Sequence, residues 1–300
     1  MSDHITRALA PGVRIVAAIT TELVEEGRVR HSCSPVASAA LGRTMTAALL
    51  LSETIKADEC ITLRISGNGP LGDIVADTPL RHCVRGYVHH PEIDLPPAAN
   101  GKLDVGAGVG EGMIHVARFS PKREVFTGTV KLISGEIAED VTRYLLESEQ
   151  IPSTVGLGVS VNPNGGIAGA AGFLVQAMPD VTEEILVNIE RNLNLVLSPS
   201  HLAQEGMTAA GIIKLLTAGV ECLEVFDSEP VKFKCTCSRD RATGILCSME
   251  QDDIRSMIEE GKAEVRCNFC NESYLYQVSE LNEFMNEQKL SFVRNEKKLE

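Results

Sequence analysis

The sequence contains no tryptophan and only 4 tyrosines among its 300 residues. Because single-stranded nucleic acids are usually bound by stacking their bases on aromatic rings, this composition argues against a protein of that class. No uninterrupted apolar stretch approaches the roughly 20 residues of a membrane-spanning helix. The first residues, MSDHITRALAPG, also lack the charged-then-apolar layout of a secretory signal. We therefore expect a cytoplasmic protein that contacts no membrane.

The sequence also has fewer basic than acidic residues. The chain has 28 Lys and Arg against 41 Asp and Glu, a formal net charge of −13. Since duplex binding depends on cationic side chains that neutralise phosphates, we expect no nucleic acid among the partners. The length, with 44% hydrophobic residues, allows one large core plus a smaller unit, or two ordinary domains.

Nine cysteines are present, and four of them form two close pairs near the C-terminus. The pairs are Cys235-Thr-Cys237 and Cys267-Asn-Phe-Cys270, separated by about thirty residues. Four thiolates satisfy the tetrahedral preference of zinc, so these residues are predicted to hold one zinc ion. In a reducing cytosol such thiols stay free or bind metal. The simplest interpretation is a permanently closed structural zinc site.

The same thiols could instead serve as a redox sensor, because thiolates that hold a metal can also be oxidised to disulfides. A Cys-x-x-Cys turn brings its sulfurs within bonding distance. The Cα atoms of an extended Cys-x-Cys lie roughly 6 to 7 Å apart, near the upper end of the disulfide range, so a disulfide there should be strained. The thiolate form is favoured by nearby basic residues, namely Lys232, Lys234, Arg239, Arg241 and Arg266. Spacing alone does not decide between sensor and structural site.

Residues 1–179 alternate strand patterns with one conspicuous helix, which predicts an α+β sheet domain with packed helices. Ser34-Pro35 supplies a cap and a first-turn proline for a helix that runs to about Ile55. Since this helix is apolar nearly all round, we expect it to be buried. Period-two alternation predicts strands over residues 13–20, 60–66, 73–77, 83–89, 113–119 and 125–132, and two more beside a turn at 162–165.

A further helix is predicted to begin after Ser134 and to run to about Glu149. Its expected first turn carries three acidic residues that complement the helix dipole, namely Glu136, Glu139 and Asp140. Arg143, four residues after Glu139, is expected to form an ion pair with it.

Residues 180–230 are predicted to form a helical linker after the sheet domain. Asp180 and Glu183 provide a candidate capping box for its first helix. One face of that helix is apolar, with Ile185, Ile189 and Leu193. A second helical stretch is expected over 207–216. The linker must bury its apolar face on another element.

Residues 231–300 are predicted to form a small C-terminal zinc-binding domain. A short strand should enter the first cysteine pair, helices should cover 239–249 and 250–260, and Gly261 should end the second helix. Residues 264–266 and 274–278 are expected to form a hairpin across the second pair.

Other candidate sites find little support in the sequence. The run from Gly67 to Gly72 matches the dinucleotide-binding pattern, but a strand follows it where a helix must receive the pyrophosphate. Glycines at 106, 108, 110 and 112 are predicted to form a flexible turn. His89 and His90 should point in opposite directions from a surface loop, which disfavours a shared metal. No esterase-type serine motif or metalloprotease helix occurs, so no enzyme is predicted.

The remaining cysteines have no partner at chelating spacing. Cys33, Cys60, Cys83 and Cys222 are expected to be buried, inert thiols. Cys247 lies between the two pairs, and packing within a helix is its preferred interpretation over a fifth, competing thiol.

The segments Val231–Arg241 and Glu264–Tyr274 resemble the redox-regulated thirty-three-kilodalton heat-shock chaperone family of bacteria, heat shock protein 33. The resemblance extends over nearly the whole chain. It includes Ala37–Arg43, Gly67–Gly72, Arg85–Val88, Gly101–Leu103 and Ser134–Ser153.

The resemblance implies an ATP-independent holdase rather than an enzyme. In the reduced form, zinc on Cys235, Cys237, Cys267 and Cys270 would keep it inactive. Oxidation would join Cys235 to Cys237 and Cys267 to Cys270, release zinc, unfold the C-terminal domain, destabilise the linker and favour homodimers that bind unfolding client proteins. Asn268 and Cys247 depart from the family pattern.

Two rival functions remain open on the residues alone. The C-terminal unit could be a zinc module of a nucleic-acid-binding regulator, which the acidity of the chain opposes. The Cys-x-x-Cys pair could be a dithiol oxidoreductase centre, which the missing thioredoxin-like βαβ pattern opposes.

Overall fold

A computed structural model of the chain describes residues 2–120, 123–194, 196 and 198–285. The chain divides into two compact units, Met1–Cys235 and Thr236–Glu300. The predicted α+β class is confirmed. The three-part division into 1–179, 180–230 and 231–300 stays a prediction, and residues 286–300 of the expected zinc-binding domain lie outside the described residues.

The first unit contains most of the regular structure. Its described elements are, in chain order, β1 His4–Ala10, β2 Val13–Ile19, α1 Thr21–His31, α2 Pro35–Ser52, β3 Cys60–Gly67, β4 Ile74–Leu80, β5 Cys83–Val88, α3 Val105–Val109, β6 Gly112–Ser120, β7 Arg123–Lys131, α4 Ala138–Glu147, β8 Ser153–Val161, β9 Ile167–Ala177, α5 Glu183–Leu193, α6 Pro199–Gln204, α7 Ala209–Leu216, β10 Glu224–Val225, β11 Glu229–Pro230 and β12 Lys232–Phe233.

The strands form two sheets. The first has the order β10-β1-β2-β9-β8, with β11 also on β1, and the second has the order β12-β5-β4-β3-β6-β7. Neighbouring strands are antiparallel, as in the pairing of His4 with Ile19 and of Cys60 with Phe119. The exception is β12, which pairs with β5 in parallel.

Helix α2 provides the centre of the first unit. Ser34 caps it by accepting a hydrogen bond from the Ala37 amide, and Pro35 occupies its first position. Every residue from Val36 to Leu51 except Arg43 is buried. The helix contacts β8 and β9 of one sheet and β4 and β5 of the other. The expectation of a buried, all-round apolar helix is therefore confirmed.

The other face of the first sheet is covered by the predicted linker segment. Ile189 of α5 and Ile212, Ile213 and Leu216 of α7 are buried against side chains of β1, β2 and β9. Ile185 and Leu193 are partly buried against the same cluster. The linker thus buries its apolar face on the sheet, as its amphipathic pattern requires.

The second unit is small. Its described elements are α8 Arg239–Cys247, α9 Gln251–Glu259, β13 Lys262–Arg266 and β14 Ser273–Gln277, with further helix over residues 278–285. Strands β13 and β14 form an antiparallel hairpin that pairs Arg266 with Ser273. Gly261, with φ of 86°, lies between α9 and β13, which agrees with its predicted role at the end of that helix.

Several local predictions are wrong. Arg143 pairs with Glu147 at 2.7 Å and not with Glu139, although both acids are four residues away. Helix α4 begins at Ala138, so Glu136 lies outside its first turn and instead forms an ion pair with Arg43. Arg43 of α2 also donates to the backbone carbonyl of Glu136 at 3.3 Å, so this part of the chain is held beside α2 through both groups of the acid.

Two further predictions fail at helix starts. Thr182 is the N-cap of α5 and makes no side-chain capping bond, so the predicted Asp180–Glu183 box does not form. The glycine-spaced stretch is not a flexible turn, because Val105–Val109 forms the short helix α3, capped by Asp104 through the Ala107 amide. Val105 and Val109 are fully buried, and this burial outweighs the low helix propensity of the glycines.

Asp3 joins three parts of the first unit. Its carboxylate accepts hydrogen bonds from the amides of Glu22 (3.1 Å) and Leu23 (2.6 Å), which caps α1 from outside the helix. Its carbonyl accepts a bond from the amide of Val231 at 3.2 Å. Burial raises the pKa of Asp3 to about 6, although the two amide bonds act in the opposite direction.

Among the helices of the described residues, none combines the length and the apolar character needed to cross a lipid bilayer.

The raised pKa of Asp3 predicts a pH-dependent contribution to stability. Between about pH 4 and pH 6 the folded chain holds a proton that the unfolded chain has released, so stability from Asp3 is fully present below pH 4 and is lost as pH rises through 6. The full span corresponds to about 3 kcal/mol. We expect Asp3→Asn to remove this slope from urea-unfolding midpoints measured from pH 4 to 7. Asp58→Asn, at an exposed site, is the control, and an unchanged slope in Asp3→Asn would contradict the assignment.

Candidate metal centre

The second cysteine pair lies in a tight turn of the hairpin. Cys267 follows β13 directly, and its amide donates to the carbonyl of Glu272 at 2.9 Å. The amide of Asn271 donates back to the carbonyl of Cys267 at 2.8 Å. Asn271 has a φ of 61°, a left-handed conformation that asparagine tolerates better than most residues. This turn fixes the backbone on both sides of Cys270.

The first pair lies just before a capped helix. Ser238 is the N-cap of α8, and its side chain accepts a bond from the Arg241 amide. The Arg241 guanidinium reaches back to the carbonyl of Thr236 at 3.1 Å. The residue between the two cysteines of this pair is therefore held by the first turn of α8.

The four predicted ligands are brought together. The Sγ atoms of Cys235, Cys237, Cys267 and Cys270 all lie within 4.8 Å of one another. The sulfurs of Cys237 and Cys270 are 3.4 Å apart. A tetrahedral ion with metal–sulfur bonds of about 2.3 Å places its ligands roughly 3.8 Å from each other. The arrangement therefore fits one metal ion with four thiolate ligands.

Two hydrogen-bond donors reach sulfurs of this group. The Tyr274 hydroxyl donates to Cys237 Sγ at 3.2 Å, and this bond is the main reason that the pKa of Tyr274 is raised. Arg85 of β5 places Nη1 3.3 Å from Cys235 Sγ. Such donors favour sulfur in its anionic form, which is also the form that binds metal.

Arg85 was not identified in the sequence, because it lies 150 positions before Cys235. It also forms a two-bond pair with Asp77, with Nε at 3.0 Å and Nη2 at 2.6 Å from Oδ2. Burial alone would lower the pKa of Arg85, but its bonds to Cys235 and Asp77 raise it. Asp77 thus holds this guanidinium charged and oriented beside the sulfur.

The basic residues that the sequence placed around the thiols bond to other groups as well. Arg239 donates to Glu280 and to the carbonyl of Leu275, and Arg266 donates to Glu264. These contacts tie strands and helices of the second unit together, so the arginines have a structural role in addition to their charge.

The core of the second unit contains few residues. Its buried apolar cluster consists of Ala242, Leu246, Ile254, Ala263, Tyr276 and Leu281. The Tyr276 hydroxyl donates to the carbonyl of Arg239, whose guanidinium lies 4.4 Å above the tyrosine ring. A core of this size rarely stabilises a domain alone, and cross-links through metal or disulfides are the usual supplement.

The other thiols are more varied than predicted. Cys33 and Cys83 are buried, as expected, but Cys60 is half-buried and Cys222 is exposed. The prediction of four buried thiols is therefore wrong for Cys222, which lies in the surface segment between α7 and β10. Cys247 is the last residue of α8 and is half-buried, outside the four-thiol group.

The adjacent histidines lie on the surface after β5, as predicted, but they do not point in opposite directions. The rings of His89 and His90 are stacked with centroids 4.5 Å apart. The strand ends at Val88, so the alternation of an extended chain does not continue through this pair.

Comparisons with known proteins agree along the whole chain. A family model described as "Hsp33 protein" matches residues 3–277. Proteins named "33 kDa chaperonin" from Desulforamulus reducens and Bacillus subtilis are each 44% identical, over 95% and 93% of this chain and 98% and 97% of their own lengths. The crystal structure of a 33 kDa chaperonin, heat shock protein 33 homolog, from Thermotoga maritima matches with a TM-score of 0.87. It is 33% identical and covers 95% of this chain and 98% of its own.

The environments of the unclustered thiols predict their reactivity with iodoacetamide. Burial raises the pKa of Cys33 to about 12, so at pH 8 only about one molecule in ten thousand carries the thiolate. Cys222 is exposed. In the native reduced protein we expect Cys222 to be alkylated rapidly and Cys33 only after denaturation, as followed by peptide mass spectrometry. Equal labelling rates would show that Cys33 is not buried.

Proposed function

The chain belongs to the Hsp33 family of chaperones, and from this premise we propose that it is a redox-regulated holdase that binds unfolding proteins without ATP. Its family makes it a chaperone rather than an enzyme. The regulation is supported by one observation above all: four cysteine sulfurs converge within 4.8 Å in a unit whose own apolar core is small.

In the proposed reduced state, Cys235, Cys237, Cys267 and Cys270 hold one zinc ion as thiolates. When bound, zinc supplies four bonds that cross-link the start of α8 to the β13–β14 turn. Because such a site does not exist in an unfolded chain, ligand binding and folding of the second unit stabilise each other. The donors Tyr274 and Arg85 help to keep the sulfurs anionic.

The proposed switch is oxidation of these thiolates by peroxide. In each pair, two thiolates give two electrons to one hydrogen peroxide molecule, a sulfur–sulfur bond forms, the oxygen–oxygen bond breaks and two hydroxide ions leave. The family resemblance implies the pairs Cys235–Cys237 and Cys267–Cys270. All four sulfurs lie within 4.8 Å of one another, so either disulfide requires its two sulfurs to close to the roughly 2 Å of a sulfur–sulfur bond.

Once the sulfurs have formed disulfide bonds, they are no longer thiolates and no longer bind zinc. The second unit then depends on its small core alone, and we infer that it unfolds. The linker is the next segment to be affected in this scheme. In α5 only Ile189 and Asn192 are fully buried, so this helix is attached to the sheet by few contacts. Its release would uncover apolar side chains of β1, β2 and β9, a surface suited to non-native chains.

We further propose that the protein acts in the cytoplasm and forms homodimers when oxidised. Both follow from the resemblance. The nucleic-acid and oxidoreductase alternatives are set aside, because every comparison leads to a family of chaperones.

The proposal predicts a coupled response to hydrogen peroxide. Treatment of the zinc-loaded chain should release about one zinc per chain, consume four thiols and suppress light scattering by a thermally unfolding client such as citrate synthase. A zinc-binding dye, thiol titration and light scattering during heating would be followed on the same sample, with dithiothreitol reversing all three. Zinc release without suppression of scattering would refute the regulated holdase.

A single ligand substitution should separate metal binding from thiol content. Cys270→Ala leaves three of the four ligand thiols, so we expect loss of zinc and proteolytic sensitivity in the second unit and in the linker even in reducing buffer, with client protection present before peroxide is added. Cys247→Ala removes a thiol of the same unit outside the four-thiol group and should behave like the wild type. A folded, zinc-loaded Cys270→Ala chain would contradict the assignment of this ligand.

A further inference from the structure

Strand β12 covers the edge of the second sheet. In the described part of the chain, β5 has β4 on one side and only the two-residue strand β12 on the other. The Lys232 amide donates to the carbonyl of His82 at 3.2 Å, and the Lys234 amide donates to the carbonyl of Val84 at 2.9 Å. The protein's own chain thus supplies a short parallel strand to an edge that is otherwise a template for strand addition.

The edge of β5 is longer than its cover. Peptide groups alternate in direction along a strand, so the N–H and C=O of Gly86 and Val88 point to the same side as those of Val84. The pairing with β12 stops at Val84, whereas β5 continues to Val88. An extended segment longer than β12 would therefore find further backbone partners on this edge.

The cover also shows which side-chain pattern the edge accepts. Along residues 231–234, burial alternates: Val231 is buried, Lys232 exposed, Phe233 half-buried and Lys234 exposed. Val231 belongs to the main core cluster and Phe233 packs against it. The guanidinium of Arg30 lies 5.3 Å from the centre of the Phe233 ring. The edge thus holds alternate apolar side chains while the intervening basic ones face solvent.

The charges around this site complement a basic segment. A small cavity beside β12 is lined by Asp3, Glu22 and Glu26 together with Leu23, Val231, Lys232 and Phe233. Three carboxyl-bearing residues therefore lie beside the lysine of the cover. A segment that alternates apolar and basic residues meets both the apolar and the electrostatic requirements of the site.

The attachment of β12 is linked to the state of the thiols. Cys235 follows Lys234 directly, and Arg85 of β5 donates to its sulfur. A hydrogen bond from a guanidinium to a thiolate is charge-assisted, and a disulfide sulfur is a far weaker acceptor. Oxidation of Cys235 therefore weakens one of the bonds that fasten the end of the cover to β5.

We propose that β12 is a displaceable cover on the edge of β5, and that oxidation lets an extended, alternating apolar and basic segment of an unfolding client take its place by adding a strand to β5. This proposal rests on the proposed redox-regulated holdase and names one of its client-binding surfaces. Strand addition supplies backbone hydrogen bonds that any extended chain can form, and the alternate side-chain positions supply selectivity.

The first test uses hydrogen–deuterium exchange of the full chain with a fluorescent peptide, Val-Lys-Phe-Lys-Val-Lys-Phe-Lys, as the probe. We expect the amide of Val84 to exchange faster after peroxide, and the peptide to protect the amides of Val84, Gly86 and Val88. A peptide of the same composition with its apolar residues grouped at one end should protect them at least tenfold less. Protection of β1, β2 or β9 instead of β5, or no peptide binding to an oxidised chain that suppresses client scattering, would overturn the edge proposal while leaving the holdase intact.

The second test does not depend on oxidation. In the reduced, zinc-loaded chain, Phe233→Ser should loosen the cover and raise peptide affinity about tenfold, because the intramolecular competitor is weakened. Phe226→Ser is the matched control, since Phe226 also lies under an arginine, Arg7, at 5.8 Å but is not part of β12. Unchanged zinc content in both variants excludes unfolding of the metal site. Equal affinities of the two variants, or concentration-dependent dimers without peptide binding, would overturn the proposal, whatever the fate of the redox switch.

Discussion

Four cysteine sulfurs converge within 4.8 Å of one another, and the proposed function makes the folding of the C-terminal unit depend on this group. Two turns have to be formed before these sulfurs can meet, the one closed by Asn271 and the one that leads into α8 through Ser238. The unit has a buried cluster of only a few side chains around Tyr276. In the proposed function, bonds made by the thiols supplement this small core, so a chemical change at sulfur alters the folding of the unit.

The larger unit has the opposite character. Helix α2 is buried along nearly its full length between two sheets, and none of the four clustered cysteines belongs to the buried cluster around it. The sheets of the first unit are joined to the second unit by the linker and the β12 segment that follows it. This stretch of chain covers apolar side chains of β1, β2 and β9 through α5 and α7, and it covers the edge of β5 through β12. In the proposed function, the two sheets around α2 stay folded. The segments that cover them, α5, α7 and β12, are released first because they are the least stable elements.

Much of this arrangement could be predicted from the sequence, since its signals are local. The Ser34-Pro35 start of α2, the alternating strands β3 to β7 and the two cysteine pairs each follow from a pattern within a few residues. Strand β1, helix α1 and Arg85 were missed because what defines them is distant. Helix α1 is capped by Asp3, which lies just before β1, and Arg85 is recognised only through Cys235. Likewise, Arg143 has two acids at equivalent spacing, so spacing alone does not identify Glu147 as its partner.

The pairing of β1 has a consequence for folding during synthesis on the ribosome. Strand β1 is enclosed by β2 on one side and by β10 and β11 on the other, so that Ala8 meets Val225 and His4 meets Pro230. Because β10 begins only at Glu224, one row of backbone donors and acceptors of β1 stays unpaired during synthesis until that later segment has emerged. During translation this chaperone therefore exposes an unpaired strand edge, which is the kind of surface that makes incomplete chains aggregate.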